Sequence, residues 1–153
     1  MGYSTTFEGQ LTVTPPLNPD EIDWLDKFAD SRRHQRPEGP YSSRDYGPGE
    51  LGGNAYNTPP EGQPGLWCDW EATEDGTGIR WNGAEKTYYA TQWVQYLIDH
   101  FLKPDAAAKG QPGFEKFTFD HTVNGVLHAH GDEPGDTWDL TVVDNRASGE
   151  SPR

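Results

Sequence analysis

The chain has 153 residues, a formal net charge of −13 at pH 7 and one cysteine. Its length suits a single domain with a sizeable core, and one cysteine excludes an intrachain disulfide. The excess of acidic residues argues against direct binding to nucleic-acid phosphates or to anionic membranes.

The N-terminal part is predicted to form a strand and a helix. Apolar and polar residues alternate over 3–14, which is typical of a half-buried strand. Asn18 is a good N-cap, Pro19 suits the first helical position, and Glu21 stands where a capping box has its acid. We therefore expect a helix that begins at Pro19 and ends near Arg33.

Residues 34–65 are predicted to form one long loop, because Gly and Pro account for 13 of the 29 residues from Pro37 to Gly65. A loop of this length inside a domain is either functional or disordered. Its tyrosines either pack the loop against the core or, with two tryptophans that follow, form a binding surface. The candidate residues for that surface are Tyr41, Tyr46, Tyr56, Trp67 and Trp81.

The remaining chain is predicted to hold a hairpin, a second helix and three more strands. The hairpin joins strands at 66–72 and 78–82 through Asp75-Gly76. An apolar stripe from Ala90 to Phe101 predicts the helix, which Pro104 ends. The last strands are predicted at 117–122, 126–131 and 137–144, with a turn at Asn124-Gly125 and a frayed tail at 146–153.

This order of elements predicts an α+β fold in one domain that spans 1–153. We expect an antiparallel sheet of about five to six strands with both helices on one face. The first six elements match a ferredoxin-like βαββαβ core, and a C-terminal β-hairpin extends it.

Three stretches resemble a family of small acidic proteins found in actinobacteria and bacteriophages. They are GYSTTFEGQLTVTPPLNPDEIDWLDKFADSRR, PEGQPGLWCDWEATEDGTGIRWNGAEKTYYATQWVQYLIDHFL and NGVLHAHGDEPGDTWDLTVVDN. The resemblance covers nearly the whole chain. It implies one domain in an intracellular or phage setting, and it carries no assigned activity, cofactor or catalytic residue.

Two histidines one residue apart raise the question of a metal site. His128 and His130 lie on the same side of a predicted strand. His121 would supply a third ligand if the Asn124-Gly125 hairpin brings it alongside, and Glu133 is a carboxylate candidate. The alternative is that the histidines face solvent and the residues between them face the core. We expect no cofactor, with a divalent metal as the minority hypothesis.

The segment SRRHQR at 31–36 is the main basic cluster of an acidic chain. Arg32, Arg33 and Arg36 either complement the dipole at the end of the first helix or, together with Arg44, form a clamp for an anion.

No catalytic motif is evident, which favours a protein-binding or regulatory module. Its partner would be a protein, with basic proteins among the candidates. The alternatives are a small-molecule or metal-dependent enzyme, with a site between the sheet and the 34–65 loop, and a nucleic-acid mimic. The chain shows neither the pattern of a signal peptide nor an apolar run that approaches a membrane span. We therefore expect a cytoplasmic protein without membrane contact.

Overall fold

A computed structural model describes residues 4–84 and 87–149. It contains two α-helices, α1 (Pro19–Ala29) and α2 (Ala90–Leu97). The strands are β1 (Thr5–Glu8), β2 (Leu11–Thr14), β3 (Trp70–Ala72), β4 (Gly78–Trp81), β5 (Thr122–Gly131), β6 (Thr137–Val143) and β7 (Arg146–Ser148). Mixed α and β structure is confirmed, and the antiparallel sheet has more strands than predicted.

The strand order in the sheet is β3-β4-β2-β5-β6-β7, and β1 also pairs with β5. Every pairing is antiparallel. The predicted strand at 3–14 forms β1 and β2, which lie in line along β5; Tyr3 falls outside the described residues. Thr6 faces His130 and Thr12 faces Asn124, so the register is the same on both sides of the interruption.

Local signals at the start of α1 form as expected. Asn18 Oδ1 accepts from the backbone N–H of Glu21, and Glu21 Oε1 accepts from that of Asn18, both at 2.8 Å. This reciprocal pair satisfies two of the free N–H groups of the first turn. The helix ends at Ala29, so the predicted end near Arg33 was wrong. Arg32 and Arg33 therefore belong to the loop.

The second helix carries its apolar stripe into the core. Trp93, Leu97 and Phe101 are buried, and a π-helical turn, Ile98–Leu102, continues α2 to Lys103. Aromatic rings join the two helices, because Trp24 lies 4.2 Å from Phe101 between ring centroids. These side chains belong to one hydrophobic cluster with the apolar face of the sheet.

The C-terminal strands differ most from the prediction. Asn124-Gly125 does not turn, and one strand, β5, runs through it. The reason is pairing on both sides, since β2 binds 122–124 and β6 binds 125–130. A Cβ at Gly125 would lie 3.1 Å from the Cα of Leu11, so glycine there permits the close approach of β2. The predicted strand at 117–122 is irregular up to His121.

The chain end adds a strand within the segment predicted as a frayed tail. β7 occupies the beginning of 146–153, whereas 150–153 lie outside the described residues. The side chain of Gln95 from α2 covers its outer edge, accepting from Ala147 N at 2.7 Å and donating to Asn145 O at 3.0 Å. Thr91 Oγ1 donates to Gly149 O at 2.9 Å. These groups are therefore not free to pair with another strand.

Candidate anion-binding pocket

An open pocket of about 420 Å³ lies where α1 passes into the 34–65 loop, and we call it the basic pocket. Its cationic and imidazole side chains are Lys27, Arg32, His34 and Arg36. The other lining residues are Asp30, Ser31, Ser43, Asp45, Tyr46, Tyr56 and Trp67. The pocket thus combines positive charge, hydroxyl groups, two carboxylates and three aromatic rings.

Arg33 lies beneath the surface of the pocket, where it binds the lining residues Ser31 and Ser43. Its side chain is fully buried, and its guanidinium carbon lies 4.0 Å above the ring centroid of Phe28. Nη1 donates to Ser31 Oγ and Ser43 Oγ at 3.0 Å, while Nη2 donates to Ser42 O. Burial lowers the pKa of Arg33 to about 10, so the buried group still carries its charge at neutral pH.

Arg32 holds a different part of the loop. Its Nε donates to Tyr56 O at 2.9 Å, and its Nη2 donates to Asn57 Oδ1 at 2.8 Å. The guanidinium carbon also lies 4.4 Å from the ring centroid of Tyr56, a cation–π distance. These contacts fix the plane of the guanidinium at the pocket wall.

Arg36 completes the set. Its Nε donates to Arg44 O at 2.8 Å and its Nη1 donates to His34 O at 3.3 Å. Burial lowers the pKa of Arg36, and the nearby carboxylates of Glu38 and Asp45 oppose that shift. Like the other two arginines, Arg36 is held by neutral acceptors.

Neutral groups, and no carboxylate of the described residues, bind the three guanidiniums. Within the described residues, Arg32, Arg33 and Arg36 form no ion pair within 4.0 Å. Arg44, in contrast, lies 2.9 Å from a carboxylate oxygen of Glu38, and Arg80 is paired in the same way with Glu71. In a chain with a net charge of −13, these three arginines therefore have no direct ion pair with a carboxylate of the described residues.

His34 lies among these groups with only 1% of its surface exposed. Its Nδ1 is 2.7 Å from Gln35 O, and because a carbonyl only accepts, Nδ1 carries the proton. The ring packs 5.2 Å from the ring of Tyr56. Nε2 has no hydrogen-bond partner in the described part of the chain.

The structure divides the residues predicted for an anion clamp. Arg32 and Arg36 line the basic pocket, and Arg33 lies buried behind it. Arg44 is not among the lining residues, and its largely exposed side chain pairs with Glu38. The alternative interpretation, in which these cations complement the dipole of α1, stays a prediction, and the arginines follow the helix instead of lying within its last turn.

The predicted aromatic surface is divided as well. Tyr46, Tyr56 and Trp67 line the basic pocket. Tyr41 instead packs 5.0 Å from Phe101, and its hydroxyl lies 2.7 Å from His100 Nδ1.

Trp81, the fifth predicted aromatic residue, is also away from the pocket. It packs edge-on against Phe7 at 5.8 Å, and its Nε1 donates to Thr87 Oγ1.

Several lining residues carry no signal in the sequence that places them at this pocket. Lys27 and Asp30 lie three positions apart on α1 and at its C-cap, a spacing that places them on one side. Ser43 and Asp45 come from the loop, and no local pattern indicates that they approach the end of α1. Arg33 connects the loop to the segment that follows α1, because its Nη1 donates to both Ser43 Oγ and Ser31 Oγ.

The histidines predicted for a metal site are separated. His121 precedes β5 instead of facing it, and seven residues of strand put it about 20 Å from His128. His128 Nδ1 lies 2.8 Å from Asp139 Oδ1, His130 is exposed on the same face, and Glu133 lies in the β5–β6 connection. Among the described residues, no group of three His, Cys, Asp or Glu side chains is placed to hold a metal ion.

His121 has a structural partner. Its Nε2 lies 2.8 Å from Glu21 Oε2, and its Nδ1 lies 2.7 Å from Pro15 O. Both partners only accept, so both ring nitrogens carry protons and the ring is an imidazolium. Burial alone lowers the pKa of His121, but hydrogen bonds to Glu21 and Pro15 outweigh it and the pKa is raised. Burial likewise opposes the lowered pKa of Glu21, which follows from hydrogen bonds with His121 and Asn18.

No family model, no curated protein and no solved structure matches this chain. The resemblance to small acidic actinobacterial and phage proteins therefore stays a prediction. Within the described residues, none of the helices has the length and apolar character needed to cross a membrane.

Proposed function

We propose that the protein is a binding or regulatory module whose recognition site is the basic pocket. The ligand presents a phosphate or carboxylate group to Arg32 and Arg36. One observation carries the proposal: carbonyl groups hold these guanidiniums in place, and no carboxylate of residues 4–84 and 87–149 pairs with them, although the chain is strongly acidic. A cation fixed in this way keeps its charge available for an anion and loses little conformational freedom on binding.

The buried charge of Arg33 strengthens the site. Ser43 Oγ lines the pocket and accepts from Arg33 Nη1, which places this hydroxyl directly in front of the buried guanidinium. A positive charge behind this hydroxyl favours an anion in front of it, since charges in a partly buried site are screened less than at the surface.

Binding of inorganic phosphate tests this function. A ligand that binds the folded state raises the melting temperature, with about 2.7 kcal/mol of stabilisation at one hundred times its Kd. We expect phosphate and sulfate to stabilise the wild type and to have a much smaller effect on Arg32→Gln and Arg36→Gln. Arg80→Gln is the matched control, because Arg80 is ion-paired with Glu71 away from the pocket. Equal effects on all three variants would contradict the proposal.

An enzymatic role is the second candidate, and His34 favours it. An imidazole with one nitrogen fixed by a carbonyl and the other unpaired is arranged as a general base requires. Under this alternative, His34→Gln would keep anion binding and abolish turnover of a bound phosphate or carboxylate ester. Retained turnover in that variant would exclude His34 as the base.

The partner and cellular setting belong to the same proposal. A protein partner, basic or not, and a cytoplasmic location stay predictions, as does nucleic-acid mimicry by the acidic surface. Affinity capture at low and high salt, with wild type and Arg36→Gln compared, tests whether a partner uses the basic pocket. If wild type and Arg36→Gln capture the same proteins, the partner does not use the basic pocket.

The order β3-β4-β2-β5 of four neighbouring strands in the sheet supports a ferredoxin-like core. α1 connects β2 to β3, and α2 connects β4 to β5. In each case one other strand lies between the two connected strands in the sheet, as in a split βαβ unit. Right-handed crossovers in an experimental structure would agree with this assignment, and left-handed ones would exclude it.

A further inference from the structure

We infer that the basic pocket takes a nucleoside monophosphate, with the phosphate at Arg32 and Arg36 and the planar base on Trp67. This inference rests on the proposed function and names the chemical class of the ligand. Three sets of pocket residues carry it: the cations, the exposed indole and the two unpaired carboxylates.

The cations define the phosphate end. The Nε atoms of Arg32 and Arg36 are bound to backbone carbonyls, which fixes both guanidinium planes. Among the described residues, Arg32 Nη1 and Arg36 Nη2 make no hydrogen bond, so each arginine keeps a donor for an oxyanion. A phosphate group accepts several such bonds at once, which suits two arginines and the hydroxyl of Ser43 better than a single carboxylate does.

Trp67 defines the ring end. Its side chain is 44% exposed although it lines the pocket, and it makes no ring contact with another aromatic residue of the described chain. Trp70 and Trp93, in contrast, are buried in aromatic contacts of the core. An indole on the wall of a cationic pocket is a stacking surface for a base, and bases stack on aromatic side chains with little dependence on sequence.

Two carboxylates that also line the pocket account for the part of the ligand that joins its phosphate to its base. Asp30 and Asp45 line the pocket and form no ion pair within the described residues. They disfavour a ligand that is anionic throughout, and they accept hydrogen bonds from hydroxyl groups. A ribose supplies such donors between a phosphate and a base, as in sites where an acidic residue binds a ribose hydroxyl.

Size and charge agree with a free nucleotide. A volume of about 420 Å³ lies within the range of about 300–1,000 Å³ that is typical of small-molecule pockets. A nucleic-acid strand would extend beyond the pocket onto a chain whose net charge is −13, where repulsion outweighs the local attraction. The ligand is therefore a single nucleotide and not a polymer.

Calorimetric titration of the full chain tests the inference with AMP, UMP, ribose 5-phosphate and inorganic phosphate. We expect both nucleotides to bind at least about ten-fold more tightly than ribose 5-phosphate, because only they stack on the indole. Trp67→Ala should remove this difference and leave binding of ribose 5-phosphate unchanged. Arg36→Gln should weaken all four ligands, and Arg80→Gln should weaken none.

The outcomes separate this inference from the proposed function. Equal affinities for nucleotides and ribose 5-phosphate in the wild type would overturn the nucleotide assignment and leave the anion pocket intact. Unchanged nucleotide affinity in Trp67→Ala would do the same. If none of the phosphorylated ligands binds, both the inference and the proposed function fail. The melting temperature of each variant, measured without ligand, shows whether it is folded.

Discussion

The buried pair of Glu21 and His121 permits a quantitative test of how the fold is held together. Glu21 is the capping-box acid of α1, and His121 immediately precedes β5. Both side chains are almost completely buried, so the pair ties the first helix to the central strand. We consider Glu21→Gln, which keeps the size of the side chain and removes its charge.

The magnitude follows from the contacts of the carboxylate. It accepts from Asn18 N and lies 2.8 Å from His121 Nε2, and it accepts from the backbone N–H of Thr118 at 3.3 Å. A glutamine has one acceptor oxygen, so it satisfies either the helix cap or Thr118 and His121. Removing one member of a buried ion pair costs about 3–5 kcal/mol. We expect about 3 kcal/mol for Glu21→Gln, because the amide fills the same space and keeps part of the bonding.

The pair also predicts a pH dependence. The pKa of His121 is raised above 6.5, so its stabilisation is complete below that value and is lost as the pH rises through the folded-state pKa. The pKa of Glu21 is lowered below 4.5, so its stabilisation is present above that value and is lost as the pH falls through the folded-state pKa. The pair therefore contributes most to the free energy of unfolding between pH 4.5 and pH 6.5.

Urea denaturation followed by tryptophan fluorescence measures both effects. The free energy of unfolding of wild type and Glu21→Gln is compared at pH 5.5 and at alkaline pH, with Glu71→Gln as the control for an exposed ion pair. We expect the two proteins to differ most at pH 5.5 and the control to lose about 0–1 kcal/mol. A loss below about 1 kcal/mol for Glu21→Gln, or the same difference at both pH values, would show that Glu21 and His121 do not stabilise the fold as a buried ion pair.

Two further predictions concern the sheet edge and the loop. Gln95→Leu removes the side chain that hydrogen-bonds to Ala147 N and Asn145 O at the edge of β7. We expect this variant to self-associate in sedimentation velocity, because an unpaired edge templates strand pairing. Gln92→Leu, an exposed change on the same helix, is the control, and a monomeric Gln95→Leu would contradict the prediction. Arg33→Met keeps an apolar contact with Phe28 and leaves the carbonyl of Ser42 without its donor. We expect a loss of about 2 kcal/mol and faster amide exchange in the 34–65 loop, whereas unchanged exchange there would show that Arg33 does not hold it.

Elements with strong local signals could be predicted from the sequence. The start of α1 depends on Asn18 and Glu21, which are close in the chain and bond each other. The buried stripe of α2 follows from helical spacing alone. In both cases the information lies within a few residues, so tertiary contacts do not need to be known.

Features that depend on distant partners could not be predicted. Asn124-Gly125 has the composition of a turn, but pairing with β2 and β6 keeps it extended. The metal hypothesis relied on that turn to bring His121 beside His128. Local patterns gave no indication that His121 belongs with Glu21, one hundred residues earlier in the chain.

The pocket shows both situations in one site. The basic segment at 31–36 and the aromatic residues Tyr46, Tyr56 and Trp67 could be selected from the sequence as candidates. Their assembly could not, because it depends on how Arg33 turns inward and bonds to Ser43 and its neighbours. Arginine is rarely buried without a carboxylate partner, so the sequence alone predicts that Arg33 is exposed, whereas the structure buries it.

The most direct test of the central claim is calorimetric titration of the wild type with inorganic phosphate at increasing sodium chloride concentration. We expect one anion bound per chain, with an affinity that falls as salt screens the cationic cluster and is lost in Arg32→Gln. Absence of binding at low salt, or binding that Arg32→Gln leaves unchanged, would contradict the claim that the basic pocket is the recognition site.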